Sequence, residues 1–175
     1  MAMPSLSDPN FAHSVTCISE HTEDGAFGII VNRVIEGLSA DLIFQELGIT
    51  SNIDAHNIPI HIGGPVHANE LFVLHGVPFH SDGLLMVNDS LALNNSRQIL
   101  EAIAQASGPS QYIIALGCAG WGRGQLEWEL KENAWLSVPC MQDIIFEVPI
   151  EQRWKIAIER LGVDPDLLSS EAGNA

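Results

Sequence analysis

The sequence predicts an α+β fold with mostly antiparallel strand pairing. Short β-branched runs suited to strands are interspersed with stretches whose apolar residues recur at helical spacing. The connections between the early strands are too short for repeated parallel crossovers, which need about a dozen residues or more. No linker-like stretch interrupts the apolar pattern across 175 residues. A single domain over 1–175 is therefore the economical reading, with a loose tail at 171–175.

The first two runs, Ser14-Val15-Thr16-Cys17-Ile18 and Phe27-Gly28-Ile29-Ile30-Val31, flank Thr22-Glu23-Asp24-Gly25. They read as a hairpin, with Gly25 able to take the positive φ of a tight reversal. Ser39 then stands where a helix N-cap belongs. Leu42, Ile43 and Leu47 follow at helical spacing and Gly48 supplies the stop. Strands are expected at 58–62 and 71–74, separated by Gly63-Gly64-Pro65, and a strand pair at 84–87 and 91–93 around Asn88-Asp89. Ser96 opens a second helix carrying Ile99, Leu100 and Ile103, stopped by Gly108-Pro109.

The longest apolar run, 112–116, suits a buried strand and leads into a glycine-rich turn over 117–124. Between 125 and 134 two periods compete. Leu126, Trp128 and Leu130 alternate like a strand, whereas Leu126, Leu130 and Ala134 form a helical stripe. The content of Leu, Glu, Lys and Gln favours the helix, which turns Trp128 away from the stripe, towards a second layer or a partner. Short strands are expected at 136–138 and 144–148. A last helix carries Ile150, Trp154, Ala157, Ile158 and Leu161, with Pro149 near its start and Gly162 at its end. Asp164-Pro165 begins a short coda.

Composition narrows the function classes. Seven Lys+Arg stand against 22 Asp+Glu, a formal net charge of −15. Residues 1–87 hold one base and ten acids, and residues 88–175 hold six bases and twelve acids, so neither half is basic. That argues against a phosphate-tracking nucleic-acid binder and against attachment to anionic membranes. With 46% apolar and 17% charged residues, the chain is no disordered acidic tail. The opening MAMPSLSDPNF has neither a basic nor an apolar signal region, and no apolar run approaches a membrane span. Three cysteines without regular spacing exclude a disulfide framework and a zinc ribbon, and an odd number without a signal points to the reducing cytoplasm.

No reagent-grade constellation is visible. The 117–124 loop lacks the Gly-Lys-Ser/Thr ending of a phosphate loop and the glycine spacing of a dinucleotide fingerprint, so it reads as a tight turn beside Trp121. Cys118 sits where a strand meets that turn, but no His follows residue 80 to act as a nearby base. Cys17 and Cys140 are weaker candidates still. All seven histidines lie between 13 and 80, His61 and His67 flanking Gly63-Gly64-Pro65 and His75 and His80 following the next strand, without a metal-ligand spacing. Neither Glu127 with Glu129 nor Asp164 with Asp166 marks a hydrolase, and no Gly-x-Ser-x-Gly elbow is present. Trp121, Trp128 and Trp135 recur every seven residues, as core or as interface anchors. No catalytic, cofactor-binding or metal-binding residue is assigned.

An ordered set of motifs runs along nearly the whole chain. It comprises Ala2-Met3-Pro4, Asp8-Pro9-x-Phe11, Ser14-Val15, Glu20-His21, Gly25-Ala26-Phe27-Gly28, Val31-Asn32-Arg33, Gly63-Gly64-Pro65-Val66 and Phe72-Val73-Leu74-His75. Leu116-Gly117-x-Ala119-Gly120-Trp121, Gly124-Gln125-Leu126-Glu127-x-Glu129, Asn133-Ala134-Trp135-Leu136, Arg153-Trp154, Leu161-Gly162 and Gly173-x-Ala175 continue it. This set resembles the YqgE/AlgH family. The resemblance implies a bifurcated sheet closed into a pseudo-barrel with helices outside, in a bacterial cytosolic protein. It implies no established activity, cofactor or catalytic residue, and members are often labelled transcriptional regulators. Three departures stand out. The family normally has a strand-like segment before Ala2-Met3-Pro4, Cys118 occupies a usually aromatic position, and Ser19 replaces a usual Cys.

Three functions compete. The first is a non-catalytic regulatory or protein-interaction role, with Gly63-Gly64-Pro65 and 117–125 serving the fold or a partner surface. The second is a small-ligand binder or enzyme using a cleft near Arg33, His75 and the 117–125 loop, Arg33 being the only base before Arg97. Direct DNA contact ranks last. The candidate ligand or partner surface comprises Asn32, Arg33, Gly63, Gly64, Pro65, His75, Gly117, Gly120, Trp121, Gln125 and Glu127. The expected partner is a protein or a small ligand, with homo-oligomerisation left open.

Overall fold

The axis of the molecule is an eleven-residue strand, β8 (Tyr112–Gly122), and every other part of the sheet is arranged around it. The computed structural model describes residues 1–79, 82–165 and 168. Before β8 come β1 (Thr16–Thr22), β2 (Gly25–Ile30), β3 (Val34–Ser39), β4 (Pro59–Ile62), β5 (Val66–Gly76), β6 (Leu85–Asn88) and β7 (Leu91–Asn94). The helices are α1 (Ala40–Glu46), α2 (Arg97–Ala104), α3 (Gln125–Lys131), α4 (Gln142–Phe146) and α5 (Arg153–Glu159), the last led in by a 3-10 turn at Ile150–Gln152. Among the described residues no helix is long and apolar enough to cross a membrane. The tail at 171–175 and His80 lie outside the described residues.

The eight strands form one mostly antiparallel sheet in the order β1-β2-β8-β5-β7-β6, with β3 and β4 as a branch. One edge of β8 carries β5. Its other edge is shared. Residues 114–116 pair in parallel with 60–62 of β4, and 119–122 pair antiparallel with 25–28 of β2. The sheet therefore forks beside Gly117. Its two end strands, β1 and β6, meet without a ladder between them, so the barrel is nearly closed. This is the α+β, bifurcated, mostly antiparallel pseudo-barrel that the sequence and its resemblance lead one to expect.

Strand alternation distributes the core. Phe72 and Leu74 of β5 and Ile113 and Ala115 of β8 face the barrel interior with Ile29, Leu91 and Leu93. Val73 and Ile114 face outwards, where α1 and α2 cover them with Phe44, Ile99, Leu100 and Ile103. Burial on both faces explains why 112–116 carries so little polarity. Each fully buried side chain of this size contributes about 1.5–3 kcal/mol.

Several expectations need correction. Of the glycine-rich stretch only Arg123-Gly124 turns, because β8 continues to Gly122. Its small residues allow neighbouring backbones to approach, and period-2 alternation persists through buried Ala119 and Trp121. No strand forms at 136–138, where only Trp135 bridges Ala2. Residues 142–146 form α4 rather than a strand, since Met141, Ile144, Ile145 and Val148 also fit a helical stripe and Ile144 and Ile145 are buried. In α1 the buried side chains are Ala40 and Phe44, while Leu42 is exposed. Leu161 falls beyond α5 and is exposed as well. Ser39 occupies the cap position of α1, but its hydroxyl donates to the Asp41 carboxylate instead of serving the helix backbone.

Candidate functional site

The two glycine motifs meet at the fork. A Cβ on Gly63 would stand 2.1 Å from the Gly117 carbonyl oxygen, and one on Gly64 2.3 Å from the Cys118 carbonyl. Gly117 takes φ +73°, and a Cβ there would stand 2.4 Å from the Gly64 oxygen. The Gly63 N–H donates to the Leu116 carbonyl, and the Gly63 carbonyl accepts from Ile30, both at 2.9 Å. Glycine is required because backbone lies on backbone where β4 hands its edge of β8 to β2. Pro65 is exposed beside this contact, and Gly120 has ordinary room, its nearest neighbour Val66 at 3.4 Å.

Asn32 and Arg33 act as a strap. Asn32 Oδ1 accepts from the Val15 N–H at 2.7 Å, and its Nδ2 donates to the His13 carbonyl at 2.8 Å. The Arg33 guanidinium donates to the carbonyls of Pro9 (2.8 Å), Asn10 (2.9 Å) and Ala12. Three of its five N–H groups thus hold the 9–12 segment.

Glu129 is the hub of the α3 end. Its Oε2 accepts the indole N–H groups of Trp121 (2.9 Å) and Trp135 (2.7 Å), and its Oε1 accepts from Gln125 at 2.8 Å. Gln125 in turn accepts from the Gly122 N–H at 3.0 Å. The two indoles stack edge to face at 5.6 Å with Phe11 against both. Glu127 instead pairs with His21 at 2.7 Å on the surface; its own backbone N–H and then His21 hold its carboxyl below the usual range. Trp128 is 61% exposed.

His75 is fully buried at the start of the β8 ladder, opposite Tyr112 and edge-on to Phe79. Burial lowers its pKa. It lies at the other end of β8 from Trp121 and Gln125, so His75, Arg33 and the 117–125 stretch do not share one cleft. Cys118 is buried in β8, and burial, then Glu70, pushes its thiol up to about 11. A thiol so buried and so weakly acidic suits packing rather than attack.

The described structure opens a cavity elsewhere, at the seam where β1 and β6 fail to pair. Its volume is about 270 Å³. Thr16, Cys17 and Ile18 of β1 form one wall, Val87 and Asn88 of β6 another, and residues 136–141 the cover. No charged side chain lines it. Thr16 Oγ1 is buried there without a hydrogen-bond partner. Cys140, exposed on the cover, and buried Cys17 of β1 both line this cavity. Among the described residues no group of three or more His, Cys, Asp or Glu could hold a metal.

A family model described as AlgH-like matches residues 1–166. The chain belongs to the AlgH-like family. UPF0301 proteins of Desulforapulum autotrophicum and Thioalkalivibrio sulfidiphilus are each 46% identical over all of this chain, covering 93% and 94% of their own lengths. The solution structure of the AlgH protein from Pseudomonas aeruginosa matches with a TM-score of 0.80 at 42% identity, covering 100% of this chain and 93% of that one. A crystal structure of a Corynebacterium diphtheriae protein shares the fold, with a TM-score of 0.71 at 22% identity over 91% of this chain and 83% of that one.

In this AlgH-like chain the sequence-picked residues fall into separate groups. Gly63, Gly64 and Gly117 meet at the fork, Asn32 and Arg33 hold the strap, and Trp121 and Gln125 join the Glu129 hub. Sequence reasoning chose Glu127 and missed Glu129. The available signal was the i,i+4 spacing of Gln125 and Glu129 beside two tryptophans. It also passed over Cys17 and Cys140, which only the fold brings together.

Proposed function

We propose that this AlgH-like protein works by binding rather than by catalysis, as a cytoplasmic regulatory protein that seats an apolar side chain of a protein partner in the seam cavity. The observation that carries the reading is the cavity's lining: apolar walls, no charged side chain, and one unpartnered hydroxyl, Thr16 Oγ1. Three of the residues singled out from the sequence are committed to the fold. Arg33 is bound to carbonyls, and His61 and His75 are buried with lowered pKa values. The net charge of −15 favours a partner with basic or neutral surface over direct contact with a nucleic-acid duplex. Three free cysteines suit a reducing compartment.

A second reading, a small apolar ligand, is favoured by the cavity's size, just under the roughly 300 Å³ of small ligand sites. One variant tests both. Val138→Trp fills the cavity from its cover. Affinity capture from host lysate is expected to recover a specific protein with the wild type and at least tenfold less with Val138→Trp. Equal recovery by both, or no specific protein with either, overturns the proposal. A thermal shift by small apolar compounds that Val138→Trp abolishes, without a protein partner, moves the conclusion to the second reading.

A further inference from the structure

Cys17 and Cys140 line the same seam cavity, Cys17 from β1 and Cys140 from the cover. Cys17 points into the barrel core, and Ile145 of α4 packs into the same cluster, which seats the segment carrying Cys140 over β1. The Gln142 side chain ties that segment to the β6–β7 turn through the Ser90 carbonyl. In the same turn Asn88 Oδ1 accepts from the Ser90 N–H (2.9 Å) and hydroxyl (3.0 Å). That arrangement leaves the Asn88 amide NH₂ to donate to the Cys140 sulfur.

We infer that Cys17 and Cys140 form an oxidisable dithiol, in which exposed Cys140 is the nucleophile towards hydroperoxides and buried Cys17 resolves it to an intramolecular disulfide. The proposal is independent of what the cavity binds. The pair has the asymmetry that a thiol redox site needs, an accessible sulfur with stabilised thiolate beside a protected thiol. Cys140 accepts hydrogen bonds from Cys17 and Asn88, and Cys17 first among them holds its pKa down at about 7. Cys17, as donor and as a buried group, is pushed well above the ordinary thiol range. Cys118 has no such partner. Cys140 also lies outside helix and strand, so drawing the sulfurs to a bond of about 2.05 Å breaks no ladder.

The chemistry balances with a hydroperoxide as the only oxidant. The Cys140 thiolate attacks the peroxide oxygen, the O–O bond breaks, and the departing alkoxide or hydroxide takes a proton. Cys140 becomes a sulfenic acid. The Cys17 sulfur then attacks the Cys140 sulfur, the S–O bond breaks, and the hydroxide leaves as water with the Cys17 proton. Two thiols are oxidised and one hydroperoxide is reduced to an alcohol, or to water from hydrogen peroxide.

The test treats the reduced, full-length wild-type protein with one equivalent of hydrogen peroxide at pH 7. Thiols are then titrated under denaturing conditions and peptides mapped by mass spectrometry. The expected result is a fall from three free thiols to one, with the Cys17 and Cys140 peptides linked within one chain and separated by dithiothreitol. Three surviving thiols, a bond involving Cys118, or only a Cys140–Cys140 bond between chains overturns the proposal. In Cys17→Ala, dimedone is expected to trap Cys140 as the sulfenic acid. Its alkylation by iodoacetamide at pH 7 is expected to slow about threefold. Returning the thiol to its ordinary pKa of about 8.5 cuts the thiolate fraction about fifteenfold, and the greater intrinsic nucleophilicity of the more basic sulfur recovers part of that. An unchanged alkylation rate would show that Cys17 does not act on Cys140.

Discussion

Acidification is expected to destabilise this protein in large part through the buried imidazole of His61. His61 sits on β4 with 3% of its surface exposed, its Nε2 3.5 Å from Nη1 of buried Arg153. Arg153 is held by the Val148 carbonyl at 3.0 Å and by the Val31 carbonyl. Burial first, and the guanidinium second, lower the His61 pKa from 6.5 to about 4. The unfolded chain therefore takes up a proton at His61 below pH 6.5, whereas the folded chain resists until about pH 4. The stabilisation is complete above pH 6.5 and is lost as pH falls through that window. At about 1.4 kcal/mol per pKa unit, the loss between pH 7.5 and 4.5 is about 2.5 kcal/mol. That is a large part of a typical total of about 5–15 kcal/mol.

Urea unfolding of the wild type and His61→Gln at both pH values measures it. Gln retains a polar acceptor near Arg153 but does not titrate. Other groups with lowered pKa, the carboxylates of Asp41, Glu127 and Asp143, the His75 imidazole and the Met1 amino group, act alike in both proteins and cancel. The wild type should lose about 2.5 kcal/mol more than the variant. Parallel pH profiles, or an NMR titration midpoint for His61 above about 6, would refute the reasoning.

Three further outcomes follow from the geometry. Glu129→Leu strands two indole N–H groups whose rings are 6% exposed and should cost about 3 kcal/mol, read by denaturation with tryptophan fluorescence. Glu129→Gln, which keeps an acceptor, should cost less. Gly64→Ala forces a Cβ to 2.3 Å from the Cys118 backbone at φ +148° and should cost about 3 kcal/mol or more. Gly120→Ala, with its nearest neighbour at 3.4 Å, should cost under about 1 kcal/mol, and equal losses would contradict the fork argument. Arg33→Ala removes three carbonyl contacts from the 9–13 loop. Amide exchange of Phe11, Ala12 and Ser14 should speed up by about tenfold or more, corresponding to about 1.4 kcal/mol of local stability.

Much of the fold was legible wherever one periodicity dominated. The 14–31 hairpin, the helix over Ile99, Leu100 and Ile103, and the helical turn of Trp128 away from Leu126 and Leu130 all follow from side-chain spacing. The sequence misled where two patterns overlap or where composition imitates another element. Glycines 117, 120 and 122 look like a turn, yet all three lie in a strand, and only Gly117 is crowded by neighbouring backbone. Ile144 and Ile145 look like a strand core, yet one turn of helix buries both. Glu127 and Glu129 are equivalent on paper. Helix rotation alone sends one to the surface with His21 and the other between two indoles.

From the sequence alone come the α+β class, the order of most elements, the net negative charge and, through its motifs, the family. Those properties depend on local spacing, on total charge or on residue identity in order. Tertiary structure alone decided that two distant glycine motifs form one fork, that the barrel leaves an apolar seam, and that Cys17 and Cys140 share it. Each depends on which strands become neighbours across β8, and that choice is made by burial of the whole sheet rather than by any stretch of chain near the residues concerned.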